Sequence, residues 1–174
     1  MAEYDWEWLK ETLDASLELS NFEAKEDAPR SELGLPVVKV LSVKAQDDAS
    51  LECRALFDIA TIKGWYVEYE ALSDGEEKLG SDLDCIIHRH GVGRAVVGNP
   101  HNPSWNAAGK YDIILARHPD YVFTSKHGFW TPTFSQVQSL MGENSRLIVT
   151  DYWISANLRT KKILENLGYD ILIN

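Results

Sequence analysis

The stretch Arg146–Ile173, RLIVTDYWISANLRTKKILENLGYDILI, decides the fold. RLIVTDYW has the length and β-branched, aromatic make-up of a buried strand. Ser155 stands where a helix N-cap belongs, and Gly168 stands where a helix ends. YDILI then reads as a closing strand. Strand, helix and strand in this succession are the alternation of an α/β protein.

The same alternation recurs upstream. Tyr111–Ala116 is an apolar run entered by Asp112. A loop with Pro119, Gly128 and Pro132 then leads to a helix over Thr133–Met141, and GENS (142–145) reads as a turn. Near the start, Pro36 precedes VVKVLSV (Val37–Val43), a buried-strand pattern. Asp47 and Asp48 are N-cap candidates for a helix over 49–63, with Leu51, Ala55, Leu56 and Ile59 inward and Gly64 as its stop. WYVEYEAL (Trp65–Leu72) follows as a second strand. Between these halves lie a turn-rich loop, SDGEEKLGSD, two short strand candidates at Asp84–His88 and Arg94–Val97, and a long loop, GNPHNPSWNAAGK (98–110). The pattern predicts an α/β fold: a three-layer, Rossmann-like, doubly wound and mostly parallel sheet with helices on both faces.

The 174 residues suit one domain. Trp6, Leu9, Leu13 and Leu17 recur at helical spacing, so residues 4–20 read as an amphipathic helix. A charged connection with Pro29, Gly34 and Pro36 follows. The expected organisation is therefore an N-terminal helix and linker, 1–34, packing on a single α/β domain, 35–174.

Composition narrows the function classes. A formal net charge of −10 with no basic run argues against a nucleic-acid partner. Two cysteines, Cys53 and Cys85, each in an apolar stretch, form neither a disulfide framework nor a CxxC metal site. No apolar run of about 18 residues suggests a membrane span, and the acidic N-terminus lacks a signal-peptide pattern. These features lead to the expectation of a cytoplasmic protein away from membranes.

In an open parallel sheet the ligand sits beyond the carboxyl ends of the strands, where strand order reverses. Those ends carry Ser42, Val43 and Lys44 after the first strand, and Glu68 or Glu70 late in the second. Ala116, Arg117, His118 and Pro119 follow the Tyr111 strand, and Asp151, Tyr152 and Trp153 follow the Arg146 strand. No GxSxG elbow, P-loop or GxGxxG fingerprint is present.

The succession YDIILARHPDYVF, a helix, RLIVTDYW and a helix ending in LGYDI resembles the second half of a class I adenosylmethionine-dependent methyltransferase. The resemblance extends over Val37–Ile173 and is specific within 111–173. It implies S-adenosylmethionine as cofactor, with Glu68 or Glu70 on the ribose hydroxyls and Ser42 and Lys44 beside the first strand's turn. It also implies that Asp112, Ala116, Arg117 and His118 line the adenine and methyl-donor side. The acceptor it leaves open is a small molecule or a protein. The family's glycine-rich first turn is replaced here by SVKAQDD, with no glycine from Ser42 to Ala49. That departure sustains an alternative, a non-catalytic interaction or regulatory protein on the same fold, with homodimer formation an open question.

Three further motifs carry weaker signals. His88 and His90 share a strand face by period two, but an HxH pair without a third ligand at a diagnostic spacing does not define a metal site. IIHRHG resembles the phosphate-binding strand end of histidine phosphatases, with only 83 residues following it. NPSW (Asn102–Trp105) resembles the NPPY loop of amino-methylating methyltransferases, although a plain proline-rich loop explains it as well.

Overall fold

The computed structural model describes residues 2–43, 49–72, 93–98, 111–117, 127–150 and 154–172. In chain order the elements are α1 (Ala2–Leu19), β1 (Val37–Val43), α2 (Ala49–Lys63), β2 (Tyr66–Leu72), β3 (Gly93–Gly98), β4 (Tyr111–Arg117), α3 (His127–Ser139), β5 (Met141–Thr150) and α4 (Ile154–Asn166). The five strands form one sheet in the order β3-β2-β1-β4-β5. Every pairing is parallel, so a helical or long crossover must join each pair.

Parallel strands buried on both faces explain the near-continuous apolar run of β1, in which only Lys39 escapes full burial. Two cores result. Val38 and Val40 of β1, Val67, Tyr69 and Ala71 of β2, and Ile113 and Leu115 of β4 face α1 and α2, against Leu9, Leu13, Leu17, Phe57 and Ile59. Leu41, Val43, Ile114 and Ala116 face the other way, against Phe134, Val137, Leu140 and Leu164 of the α3–α4 layer. The period-two alternation thus feeds two separate helix layers. Each fully buried leucine of α1 contributes about 1.5–3 kcal/mol of burial, which makes that helix part of the core.

Helix ends follow backbone chemistry. Gly64 (φ 73°) and Gly168 (φ 86°) adopt the left-handed conformation after α2 and α4. The amides that follow these glycines turn back, Trp65 N to Ala60 O and Tyr169 N to Leu164 O, closing the orphan carbonyls. Asn21 (φ 50°) does the same after α1, with Phe22 N donating to Leu17 O.

The structure departs from the sequence reading at three places. The helix expected over Thr133–Met141 begins at His127 and ends at Ser139, with Pro132 inside it. The strand expected from Arg146 begins at Met141, because 142–145 form a bulge and not a free turn. There Ser145 Oγ donates to Tyr111 O and accepts from Gly142 N. The closing strand expected at YDILI is absent over Tyr169–Leu172, which carry no ladder. Tyr169 instead packs beside α3, its hydroxyl donating to Phe134 O at 2.7 Å. Among the described residues no helix is long and apolar enough to cross a membrane.

Candidate functional site

Strand order reverses between β1 and β4, whose register pairs Ser42 with Leu115. The crevice of a doubly wound sheet opens at this point, beyond the carboxyl ends of those strands. Ser42 lies one residue from the end of β1 and Arg117 is the last residue of β4.

Ser42 is 1% exposed and faces the α2 layer. Its hydroxyl bonds the phenol of Tyr69, which donates to Glu52 Oε2 at 2.7 Å. Glu52 sits in the first turn of α2 and is 1% exposed. A carboxylate near a helix N-terminus meets favourable backbone dipoles, which helps offset its desolvation. Burial first, then the charge and hydrogen bond of Glu52, hold the Tyr69 phenol well above its ordinary range, while Ser42 pulls in the opposite direction. Burial and Glu52 likewise push the Cys53 thiol up, so it stays a protonated, inert core group.

The two acids of β2 lie short of the strand's end at Leu72. Glu68 is level with Arg94 of β3 in the ladder and forms an ion pair with it at 2.9 Å. Glu70 accepts a short hydrogen bond from the Tyr111 hydroxyl, reaching across β1 to β4. Burial, followed by the bond to Glu70 and its charge, keeps the Tyr111 phenol protonated above its ordinary range.

Asp112 is the second residue of β4, about 16 Å of strand from Arg117. Its carboxylate accepts from the Lys39 amide at 2.9 Å and pairs with Lys25 Nζ at 3.1 Å. It ties the N-terminal connection to the amino end of the sheet. Arg146 acts alongside, its guanidinium donating to Ser20 O at the end of α1 at 2.8 Å.

At the carboxyl edge the structure brings together Ser42, Ala116 and Arg117 among the expected residues. Lys44 and His118 lie outside the described residues, as do Asp47, Asp48, Asp84–His88, His90, the IIHRHG and NPSW motifs, and Asp151–Trp153. Among the described residues no group of three or more His, Cys, Asp or Glu side chains converges as a metal site.

Sequence reasoning missed Glu52, Tyr69 and Thr150. Glu52 carried a signal, since it shares a helical stripe with Ala55, Leu56 and Ile59 and so points inward. Thr150 shares a strand face with buried Ile148. It is the last residue of β5 and is 7% exposed, with no hydrogen-bond partner for its hydroxyl among the described residues.

No protein-family profile matches the chain, and no curated protein matches it in sequence. Solved structures do match. Precorrin-8w decarboxylase from Methanobacterium thermoautotrophicum aligns over 88% of this chain and 81% of its own, at TM-score 0.53 and 15% identity. Precorrin-6y C5,15-methyltransferase from Geobacter metallireducens aligns over 88% and 80%, at TM-score 0.54 and 8% identity. An S-adenosylmethionine-dependent methyltransferase from Thiobacillus denitrificans, solved with S-adenosyl-L-homocysteine, aligns over 94% and 65%, at TM-score 0.52 and 15% identity. With its single parallel sheet in the order β3-β2-β1-β4-β5, the chain has the Rossmann-like α/β fold of class I adenosylmethionine-dependent methyltransferases.

Proposed function

We propose that this chain binds S-adenosylmethionine, or a nucleoside of the same kind, at the carboxyl edge of its sheet and acts as a methyltransferase-like protein. One observation carries the reading. The strand-order reversal at β1 and β4 lies in a sheet that shares its fold with a structure holding S-adenosyl-L-homocysteine.

The donor set at this edge suits such a ligand. Ser42 and Ala116 present small side chains beside the reversal, while Arg117 and the unpartnered Thr150 hydroxyl supply polar groups. Lys44 and His118, next in sequence after Ser42–Val43 and Arg117, complete the proposed lining. Glu68 and Glu70 are the acids on offer to the ribose, each releasing its present partner, Arg94 or Tyr111, to do so. When bound, the cofactor supplies an electrophilic methyl group. The chain's own part is to orient it, exclude water and align a small-molecule or protein acceptor.

A second reading has its own support. Both β2 acids are already engaged, and the segment from Ser42 to Ala49 lacks glycine. A non-catalytic interaction or regulatory protein on the same fold, self-associating or binding a partner, accommodates both facts.

Calorimetric titration with S-adenosylmethionine and S-adenosylhomocysteine tests the first reading. Micromolar binding that weakens in Glu70→Gln and Glu68→Gln supports it. No heat with either ligand sinks it and directs the search to a protein partner.

A further inference from the structure

Helix α1 carries two rows of apolar side chains. The inner row, Leu9, Leu13 and Leu17, is buried against the sheet. The outer row is Trp8, Thr12, Ala15 and Leu19, spaced i, i+4, i+7 and i+11 along the helix. Trp8 is 40% and Leu19 47% exposed, with Thr12 and Ala15 half-buried between them. A lone exposed leucine needs no explanation. A tryptophan and a leucine in helical register are the anchor pattern by which one helix seats another.

An acid stands immediately before each member of the outer row: Glu7, Glu11, Asp14 and Glu18. Sharing the same spacing, they form a second row beside the first. Asp14 and Glu18 reach α2, where both pair with Lys63, at 3.3 and 3.4 Å. Glu7 and Glu11 are exposed and have no ion-pair partner among the described residues. Lys10 is the one base of α1, and it lies over the Trp6 ring, 5.6 Å from its centre. Arg54 of α2 stacks on that same ring at 3.9 Å. The flank around Lys10 and Asp14 is therefore spent on α2, while Trp8 and Leu19 stand on the far side of the helix.

The chemistry of this face selects its occupant. The apolar row fits the apolar stripe of a second helix, and the carboxylates of Glu7 and Glu11 beside it favour Lys or Arg over Asp or Glu. A second copy of α1 would bring further acids to the contact, in a chain already of net charge −10.

We propose that the Trp8–Leu19 face of α1 is a docking surface for a basic amphipathic helix of a protein partner. The surface uses none of the residues assigned to the ligand edge, so it stands whether or not the chain binds a nucleoside.

The experiment uses the full chain and three dye-labelled helical peptides as long as α1, 18 residues. In the first, leucines at the i, i+4, i+7 and i+11 spacing are flanked by lysines. The second has glutamates in place of the lysines. The third scrambles the first, keeping its charge and losing its stripe. Fluorescence anisotropy gives affinities for the unaltered chain, Trp8→Ala, Leu19→Ser and the double variant Glu7→Gln/Glu11→Gln. Leu158→Ser serves as control, an exposed position on α4 in the other helix layer. Every substituted side chain is exposed, so each variant should keep its fold, which melting temperatures check.

The leucine–lysine peptide should bind Trp8→Ala roughly 10-fold more weakly than the unaltered chain, the scale of an aromatic anchor. Leu19→Ser should weaken it several-fold. The double glutamine variant should also weaken it several-fold and remove most of its salt dependence. Leu158→Ser should match the unaltered chain, and the glutamate and scrambled peptides should bind the unaltered chain roughly 10-fold or more weakly than the first. Equal binding of the scrambled peptide, or unchanged affinity in both Trp8→Ala and Leu19→Ser, overturns the docking surface. So does an absence of binding up to about 1 mM peptide. Sedimentation of the chain alone tests the rival occupant: self-association abolished by Trp8→Ala assigns the face to a second copy and overturns the basic partner.

Discussion

The phenol of Tyr69 donates to the carboxylate of Glu52 across 2.7 Å, and neither side chain is more than 1% exposed. The bond fastens the first turn of α2 to the middle strand of the β3-β2-β1 half, just below the strand-order reversal. Removing the phenolic hydroxyl takes a donor from a buried carboxylate. Tyr69→Phe is expected to cost about 1–3 kcal/mol. A double-mutant cycle with Glu52→Gln, read by urea unfolding, should give a coupling energy of about 0.5–3 kcal/mol, and additive effects would refute the link.

Four groups hold their protons more tightly in the folded chain than outside it: the buried Cys53, Tyr69 and Tyr111, and the half-buried Tyr169. The unfolded chain releases these protons near pH 9.0 for the thiol and 10.0 for the phenols, whereas the folded chain retains them. Stability from this source is therefore complete below about pH 9 and declines as pH rises further. Urea midpoints measured from pH 8 to pH 11 should fall on the alkaline side. Absorbance at 295 nm should show Tyr69, Tyr111 and Tyr169 withheld from titration until the chain unfolds.

Gly93 opens β3 against α2, and a Cβ there would meet Val67 O at 2.5 Å and the Phe57 ring at 2.7 Å. The carbonyl belongs to the neighbouring strand and cannot rotate away. Gly93→Ala should destabilise by about 1–3 kcal/mol, the range of an overpacked core. Phe57→Leu in that background should recover only part of the loss, because the backbone contact remains. Full recovery would assign the whole clash to the ring.

Asn21 occupies the left-handed position after α1. Glycine adopts that conformation without a Cβ penalty, so Asn21→Gly should raise stability slightly, by about 0.5 kcal/mol. Asn21→Val should lower it by more than glycine raises it. The pair of melting temperatures checks the sign of both.

Asp112 distinguishes the two ends of the sheet. Its carboxylate serves the Lys39 amide and Lys25, far along β4 from Arg117. Asp112→Ala should cost about 1–3 kcal/mol of stability while leaving nucleoside affinity unchanged. A selective loss of affinity at unchanged stability would instead return Asp112 to the ligand side.

Much of the fold was legible because local chemistry and tertiary packing agree. The limits of β1 and α2, and the stops at Gly64 and Gly168, follow from apolar runs and left-handed glycines. Where they disagree, the reading slipped. Pro132 resembles a helix start, yet α3 begins five residues earlier. GENS has turn composition, but Ser145 binds it into the edge of the sheet. YDILI has strand composition, while Tyr169 goes to the α3 carbonyl of Phe134. At the carboxyl edge of the sheet, the strand ends expected from the sequence include Ser42, Ala116 and Arg117, which the structure brings together. Glu52 was overlooked because a charged helix residue is normally solvated, and Thr150 because an orphaned hydroxyl has no signature in sequence.

The bulge at Gly142–Ser145 also bears on whether a foreign strand could extend the sheet. Four residues crowd opposite Asp112, so β5, an outer strand among the described residues, presents a regular ladder only from Arg146 to Thr150. Five residues make a short template for foreign strands, and the kink before them spoils the register of any longer one. A chain engineered to run straight from Met141 into Arg146 would gain a longer, flatter border. Its penalty would be collective, appearing in concentrated solution as aggregation, even where each molecule folds normally alone.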